Sequence, residues 1–112
     1  VKIYLAGKIG GQREFAKEWR LNVIAMAGHK HTFLNPLRRN LEGMEMTDQT
    51  EIVLGDKKDI NNSDLVLAYI NDGASFGTAM EIMYAYDRQI PVFVVSEKNN
   101  LGAWVSYHSV IF

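Results

Sequence analysis

Apolar residues fall in five short runs, at positions 1–6, 31–34, 65–70, 90–95 and 109–112. Within the longer runs they are continuous rather than alternating, which predicts strands buried on both faces. The segments between them carry a different period. Over 12–27, Phe15, Trp19, Val23 and Met26 fall on one face of a helix, with Arg13, Lys17 and Glu18 largely off it, and Gly28 supplies the stop. A second helix is predicted from a cap at Thr47 or Asp48 to about residue 61, with Ile52, Val53, Asp56 and Ile60 sharing one face and Asp59 turned to solvent. A third follows the 65–70 strand, over 76–87. Asn35-Pro36 closes the second strand, and residues 37–46 read as a long loop, a common place for function. Arg38 and Arg39 there are either a substrate-facing pair or a solvated basic turn. Strands alternating with helices predict a parallel sheet with right-handed crossovers.

Composition narrows this picture only a little. A chain of 112 residues predicts one domain over 1–112, small enough for self-association to help bury its apolar surface. A net charge of −1 argues against a partner as strongly anionic as polymeric nucleic acid. The absence of cysteine removes disulfides and thiolate metal sites. His29, His31 and His108 are too scattered for a metal cluster, and no metal or cofactor is expected. No apolar run is long enough to span a membrane, and the opening residues read as a strand rather than a leader. The cytoplasm is the expected compartment.

Candidate chemistry concentrates where strands hand over to helices, the end of an open α/β sheet that holds ligands. After the 65–70 strand comes Asn71-Asp72-Gly73-Ala74-Ser75-Phe76-Gly77-Thr78-Ala79-Met80-Glu81. Ser75 is placed to cap the helix, and Glu81 lies in its second turn, where the helix dipole favours a carboxylate. Glu81 is either a nucleophile aimed into a crevice or a surface glutamate. Asp56, on or beside an apolar stripe, needs a partner or a cavity. The loop Gly7-Lys8-Ile9-Gly10-Gly11, with Arg13 behind it, can turn N–H groups toward an anion, although it fits neither common phosphate-loop pattern. Trp19, Met80 and Met83 read as core. Tyr84 and Tyr86 read as packing or interface residues, and Trp104 as packing or pocket lining.

Three of these segments, in this order, carry a family likeness. They are Lys2-Ile3-Tyr4-Leu5-Ala6-Gly7, Asp56-Lys57-Lys58-Asp59-Ile60-Asn61-Asn62-Ser63-Asp64, and Ser75-Phe76-Gly77-Thr78-Ala79-Met80-Glu81. Together they resemble the nucleoside 2-deoxyribosyltransferase superfamily, which includes the 2'-deoxynucleoside 5'-phosphate N-hydrolases. The resemblance implies a flavodoxin-like or Rossmann-like three-layer α/β sandwich on a five-stranded parallel sheet. It implies that Glu81 attacks C1' of the sugar, that Tyr4 orients Glu81, and that Asp56 holds or protonates the base. It places substrate contacts on Gly7, Lys8, Ile9, Gly10, Gly11, Arg13, Ser75 and Gly77. It further implies homodimers or larger assemblies in which a neighbour completes each site, here through Asn100. Many transferases of the superfamily carry aspartate where this chain has Ser75, and the glycine loop is closer to that of the phosphate hydrolases, though with Lys8 where those often have serine. The implied activity is therefore cleavage of a 2'-deoxynucleoside 5'-monophosphate. The alternatives are base exchange on free nucleosides and a non-catalytic nucleotide-binding module.

Overall fold

Alternate residues of the first strand supply two different cores. Tyr4 and Ala6 point to one side of the sheet and Ile3 and Leu5 to the other, as the two-residue strand period requires. The computed structural model describes residues 1–9, 13–39, 49–71, 75–98 and 100–111, without the side chains of Arg13 and Arg39. The strands are β1 (Lys2–Gly7), β2 (Thr32–Leu34), β3 (Leu65–Ile70), β4 (Val92–Ser96) and β5 (Val110–Ile111). The helices are α1 (Arg13–Ala27), α2 (Gln49–Asn61), α3 (Phe76–Asp87) and α4 (Gly102–Tyr107), with a 3-10 turn at Pro36–Arg39. The sheet is parallel throughout, in the order β2-β1-β3-β4-β5. This is a flavodoxin-like order, and its reversal between β1 and β3 opens the ligand crevice.

The larger core joins Tyr4, Ala6, Val66, Ala68, Val92 and Val94 of the sheet to Ile60 of α2 and to Ile82 and Ala85 of α3. The opposite face packs Ile3 and Leu5 under Trp19 of α1, with Tyr69 stacked on the Trp19 ring at 5.4 Å. The expected α1 stripe is displaced at its end: Met26 is 87% exposed, and Ala16, Trp19 and Arg20 are the buried residues. Phe15, at its start, is 39% exposed as well, while Val23 and Ile24 pack against the cluster of Ile3, Leu5 and Trp19. Gly28 ends α1 as expected, at a φ of 64° that favours glycine, its N–H donating to the Ile24 carbonyl at 3.2 Å.

Gly7, at the end of β1, is required by close approach. A Cβ there would lie 2.8 Å from Cζ2 of Trp19 and 3.3 Å from the Tyr69 carbonyl oxygen. Strand β4 starts at Val92, just after Pro91, so the proline N carries no ladder bond while its carbonyl accepts from Val66 N at 2.9 Å. Among the described residues no helix is long and apolar enough to cross a membrane.

Candidate active site

The crevice between β1 and β3 opens into a cavity of about 570 Å³. Most of its walls come from four places, with Pro36 of the 3-10 turn adding a fifth. Strand β1 and its exit give Tyr4, Gly7 and Ile9; α1 gives Arg20; α2 gives Ile52, Asp56, Lys57 and Ile60; and α3 gives Gly77, Glu81, Tyr84 and Arg88 at its end. The α3 residues share one face because they are spaced 4, 3 and 4 apart.

Tyr4 and Glu81 meet in this cavity although 77 positions separate them. The buried Tyr4 hydroxyl donates to Oε2 of Glu81 at 2.5 Å. The strand period turns Tyr4 toward α3, and the α3 cap fixes where Glu81 stands. Ser75 is the N-cap, with φ −132° and ψ 111°, and its Oγ accepts from Thr78 N at 3.2 Å. Thr78 Oγ1 donates to the same oxygen at 3.0 Å, so the head of α3 is tied twice.

The other expected site residues are spread unevenly. Asp56 lines the cavity with Tyr4 and Glu81. Gly7, Ile9, Ser75 and Gly77 do so as well. Lys8 and Asn100 instead line an adjoining pocket of about 270 Å³, which shares Ser75 and Thr78 with the main cavity. Within its own chain, Asn100 Oδ1 accepts from Gly102 N at 2.9 Å, at the start of α4. Gly10, Gly11 and the Arg13 side chain lie outside the described residues, as does the stretch Asp72-Gly73-Ala74.

Three expectations are corrected. Asp59 is buried rather than solvent-facing, gripped by Arg38 through bonds of 2.8 and 2.7 Å. Arg38 is therefore engaged with Asp59 and is not one of a substrate-facing pair. Met80 and Met83 are exposed, and both line the cavity instead of the core. Ile52, Val53, Asp56 and Ile60 share one face as expected, and that face lines the cavity.

Among the cavity residues, Arg20 and Arg88 escaped the sequence reading, and Tyr84 was read only as packing or interface. Arg20 is fully buried, and it donates from Nε to the Leu5 carbonyl at 3.2 Å, from Nη1 to that of Ala16 at 3.0 Å and from Nη2 to that of Gly7 at 3.0 Å. Burial pushes its guanidinium down to about 10, while the charges of Tyr4, Glu81 and Asp56 pull the other way. The signal was present: Arg20 stands four residues after Ala16 on the buried stripe, an odd place for a charge. Tyr84 and Arg88 were legible too, at three and seven residues past Glu81. The Arg88 guanidinium lies over the Tyr84 ring, 3.4 Å from its centroid, with Lys57 Nζ 5.2 Å from the same centroid. Asn61 Nδ2 donates to the Tyr84 hydroxyl at 2.9 Å, which fixes that ring at the cavity mouth.

Chemically, the site offers one carboxylate oriented by a phenol, a second carboxyl nearby, and an aromatic, cation-flanked outer wall. Among the described residues, no group of three or more His, Cys, Asp or Glu is placed to hold a metal ion.

Comparison with known proteins bears on what such a site is for. No curated protein matches the chain. Among solved structures, the fold is similar to a 2-deoxyribosyltransferase from the psychrotolerant bacterium Bacillus psychrosaccharolyticus. That match has a TM-score of 0.79 at 22% identity and covers 100% of this chain and 85% of that one. A 2-deoxyribosyltransferase from Leishmania mexicana matches with a TM-score of 0.71 at 22% identity, over 87% of this chain and 65% of its own. A CMP N-glycosidase from Clostridium botulinum matches with a TM-score of 0.64 at 16% identity, over 100% of this chain and 86% of its own. These likenesses establish the fold. The family model described as nucleoside 2-deoxyribosyltransferase matches residues 3–109, nearly the whole sequence, and so the chain belongs to the nucleoside 2-deoxyribosyltransferase family.

Proposed function

We propose that this protein cleaves the N-glycosidic bond of a 2'-deoxynucleoside 5'-monophosphate through a covalent glycosyl-Glu81 intermediate and releases the free base. The observation that carries the reading is the Tyr4–Glu81 hydrogen bond at the wall of a cavity that Asp56 also lines. A carboxylate oxygen of Glu81 attacks C1' as the bond to the base breaks, and the electron pair of that bond leaves with the base. Asp56 in its acid form donates a proton to the departing base. The transition state resembles an oxocarbenium ion, which a neighbouring carboxylate stabilises. Water then adds at C1', releasing the sugar phosphate from Glu81 and returning a proton to the pair of carboxyls. Tyr4 orients the attacking carboxylate by occupying one of its oxygens.

The 5'-phosphate is assigned to the start of α1 and the head of α3. Gly7, Ile9, Ser75 and Gly77 surround that end of the cavity, with Lys8 beside it across Ser75. Asn100 is assigned to the site of a second copy. The exposed α3–α4 surface supports such an assembly, since Met80 and Trp104 are 71% and 76% exposed there.

Base exchange between free nucleosides is the second reading, and the family match favours it. The two differ in the substrate, phosphorylated or free, and in the acceptor, water or a second base, that takes C1' from Glu81. Purified protein would be incubated with each deoxynucleoside monophosphate and each deoxynucleoside, with and without a second base, and the products separated by chromatography. Free base from monophosphates alone is the expected result. A new nucleoside appearing only with added base establishes exchange instead. A 2-fluoro sugar analogue should leave an adduct on Glu81 detectable by mass spectrometry, and Glu81→Ala should lose both adduct and turnover. Turnover that survives Glu81→Ala removes the mechanism.

A further inference from the structure

Two carboxyls lining one cavity oppose each other's ionisation. The mechanism above needs them in opposite states, Glu81 charged and Asp56 carrying a proton. Something in the fold must break that symmetry. Strand β1 and α3 contribute the Tyr4 hydroxyl and the α3 dipole. Helix α2 places Lys57 beside Asp56, and the end of α3 adds Asp87 and Arg88, all lining the same cavity. Helix α1 contributes Arg20, whose full burial sets it apart from these other cations.

We propose that Arg20 is the positioning residue of the site: its buried guanidinium holds Glu81 in the charged, attacking form and clamps the exit of β1 at Gly7. Both halves rest on its hydrogen bonds. All three bonds described above go to neutral backbone carbonyls, which spread its charge without cancelling it. The charge therefore acts on the other groups of the cavity wall, among them Tyr4, Glu81 and Asp56. Glu81 is tied through the Tyr4 hydroxyl to β1, the strand whose carbonyls hold Arg20, and that is the asymmetry the chemistry requires. The geometric half is the Nη2 bond to the Gly7 carbonyl. It joins α1 to the residue where β1 turns into the loop, and Gly7 itself lies against Trp19 and Arg20 with no room for a side chain. A guanidinium serves both ends at once because its rigid fork reaches three acceptors. Arg20 acts through Glu81 and Gly7 rather than on substrate, since it has no solvent-accessible surface of its own.

This inference rests on Glu81 as nucleophile, and the test separates the two. The pH dependence of kcat/KM is measured for the wild type, Arg20→Gln and Arg20→Lys. In Arg20→Gln the acid limb should move up by about one pH unit, a tenfold change in an ionisation constant. In Arg20→Lys the limb should stay with the wild type, because the charge is kept, while KM rises severalfold as the exit of β1 loses its clamp. A merely structural role would lower the melting temperature of both variants and leave both limbs in place; that result overturns the proposal. Should Arg20→Gln not fold, Arg20→Met, neutral and of similar length, takes its place in the same comparison, and a limb that stays with the wild type overturns the proposal. Carbon-13 titration of the Glu81 carboxyl in the wild type and Arg20→Gln gives the same answer without turnover. A carboxyl that titrates identically in both refutes the electrostatic half. Absence of turnover and of a 2-fluoro adduct in the wild type itself would instead count against the proposed function.

Discussion

Arg20 and Arg38 are both held on the protein by hydrogen bonds, yet they carry charge in opposite ways. Arg20 is fully buried and bound to carbonyls of the backbone, and burial drives its pKa down to about 10. The Arg38 side chain is 45% exposed and bound through two nitrogens to the Asp59 carboxylate, and that bond drives its pKa up. One charge is left active in the interior, beside Tyr4 and Glu81. The other is cancelled where it stands. The difference is what singles out Arg20 as the proposed positioning residue and leaves Arg38 as a brace. That brace pins the Pro36–Arg39 turn to α2, and Pro36 is one wall of the cavity.

The same division runs along α2. Asp56 and Asp59 are three residues apart, but Asp56 lines the cavity and Asp59 closes the brace. Along α2 the larger loss is expected from Asp56→Ala, since removal of a general acid lowers kcat by about 10²–10⁴-fold. The same variant should release a base with a good leaving group nearly as fast as the wild type does, because such a base needs less protonation. Steady-state assays with natural and activated substrates check both statements. An equal loss on both substrates would move Asp56 from acid to simple base holder.

Much of this was legible in the sequence. The strand–helix order and the Ser75 cap follow from local period and turn chemistry. The meeting of Asp56, Tyr4 and Glu81 was expected from a resemblance between motifs, and the cavity brings them together. Arg20 and Asp59 were misread or missed for one shared reason. Helical period tells which residues face inward, but the partner that makes a buried charge tolerable comes from elsewhere in the chain: β1 carbonyls for Arg20, the turn after β2 for Asp59. Met80 and Met83 failed differently. Their apolarity suggested core, and they line the cavity instead, where a flexible apolar side chain suits a ligand as well as a neighbour does.

Asp59→Ala sharpens the contrast with Asp56. Hydrogen bonds to a charged group are each worth about 1.5–3 kcal/mol, but here the exposed Arg38 is rehydrated once released, so a total loss of about 1–3 kcal/mol is expected. Urea unfolding would measure it. Turnover per folded molecule should fall only a few-fold, through a loosened Pro36 wall. A drop as large as that of Asp56→Ala would erase the distinction between chemistry and brace.

Arg38→Lys has the smallest expected effect. Lysine keeps the charge but cannot reach both carboxylate oxygens of Asp59 with a planar fork. Because half of the arginine side chain meets solvent, the loss should stay under about 1 kcal/mol. Salt divides the two arginines further. Added electrolyte screens an exposed pair and leaves a buried charge almost untouched, so the stability difference between wild type and Arg38→Lys should shrink at high ionic strength, while the rate difference between wild type and Arg20→Gln should persist. Proton linkage adds nothing on the arginine side across the neutral range. A raised folded pKa supplies its stabilisation in full below the ordinary arginine value and loses it only as pH climbs through the higher one. Denaturant curves at neutral pH, at low and high salt, therefore test the brace with titration held out. A salt response of equal size at both arginines would mean that the Arg20 site is open to solvent, contrary to the burial on which its role depends.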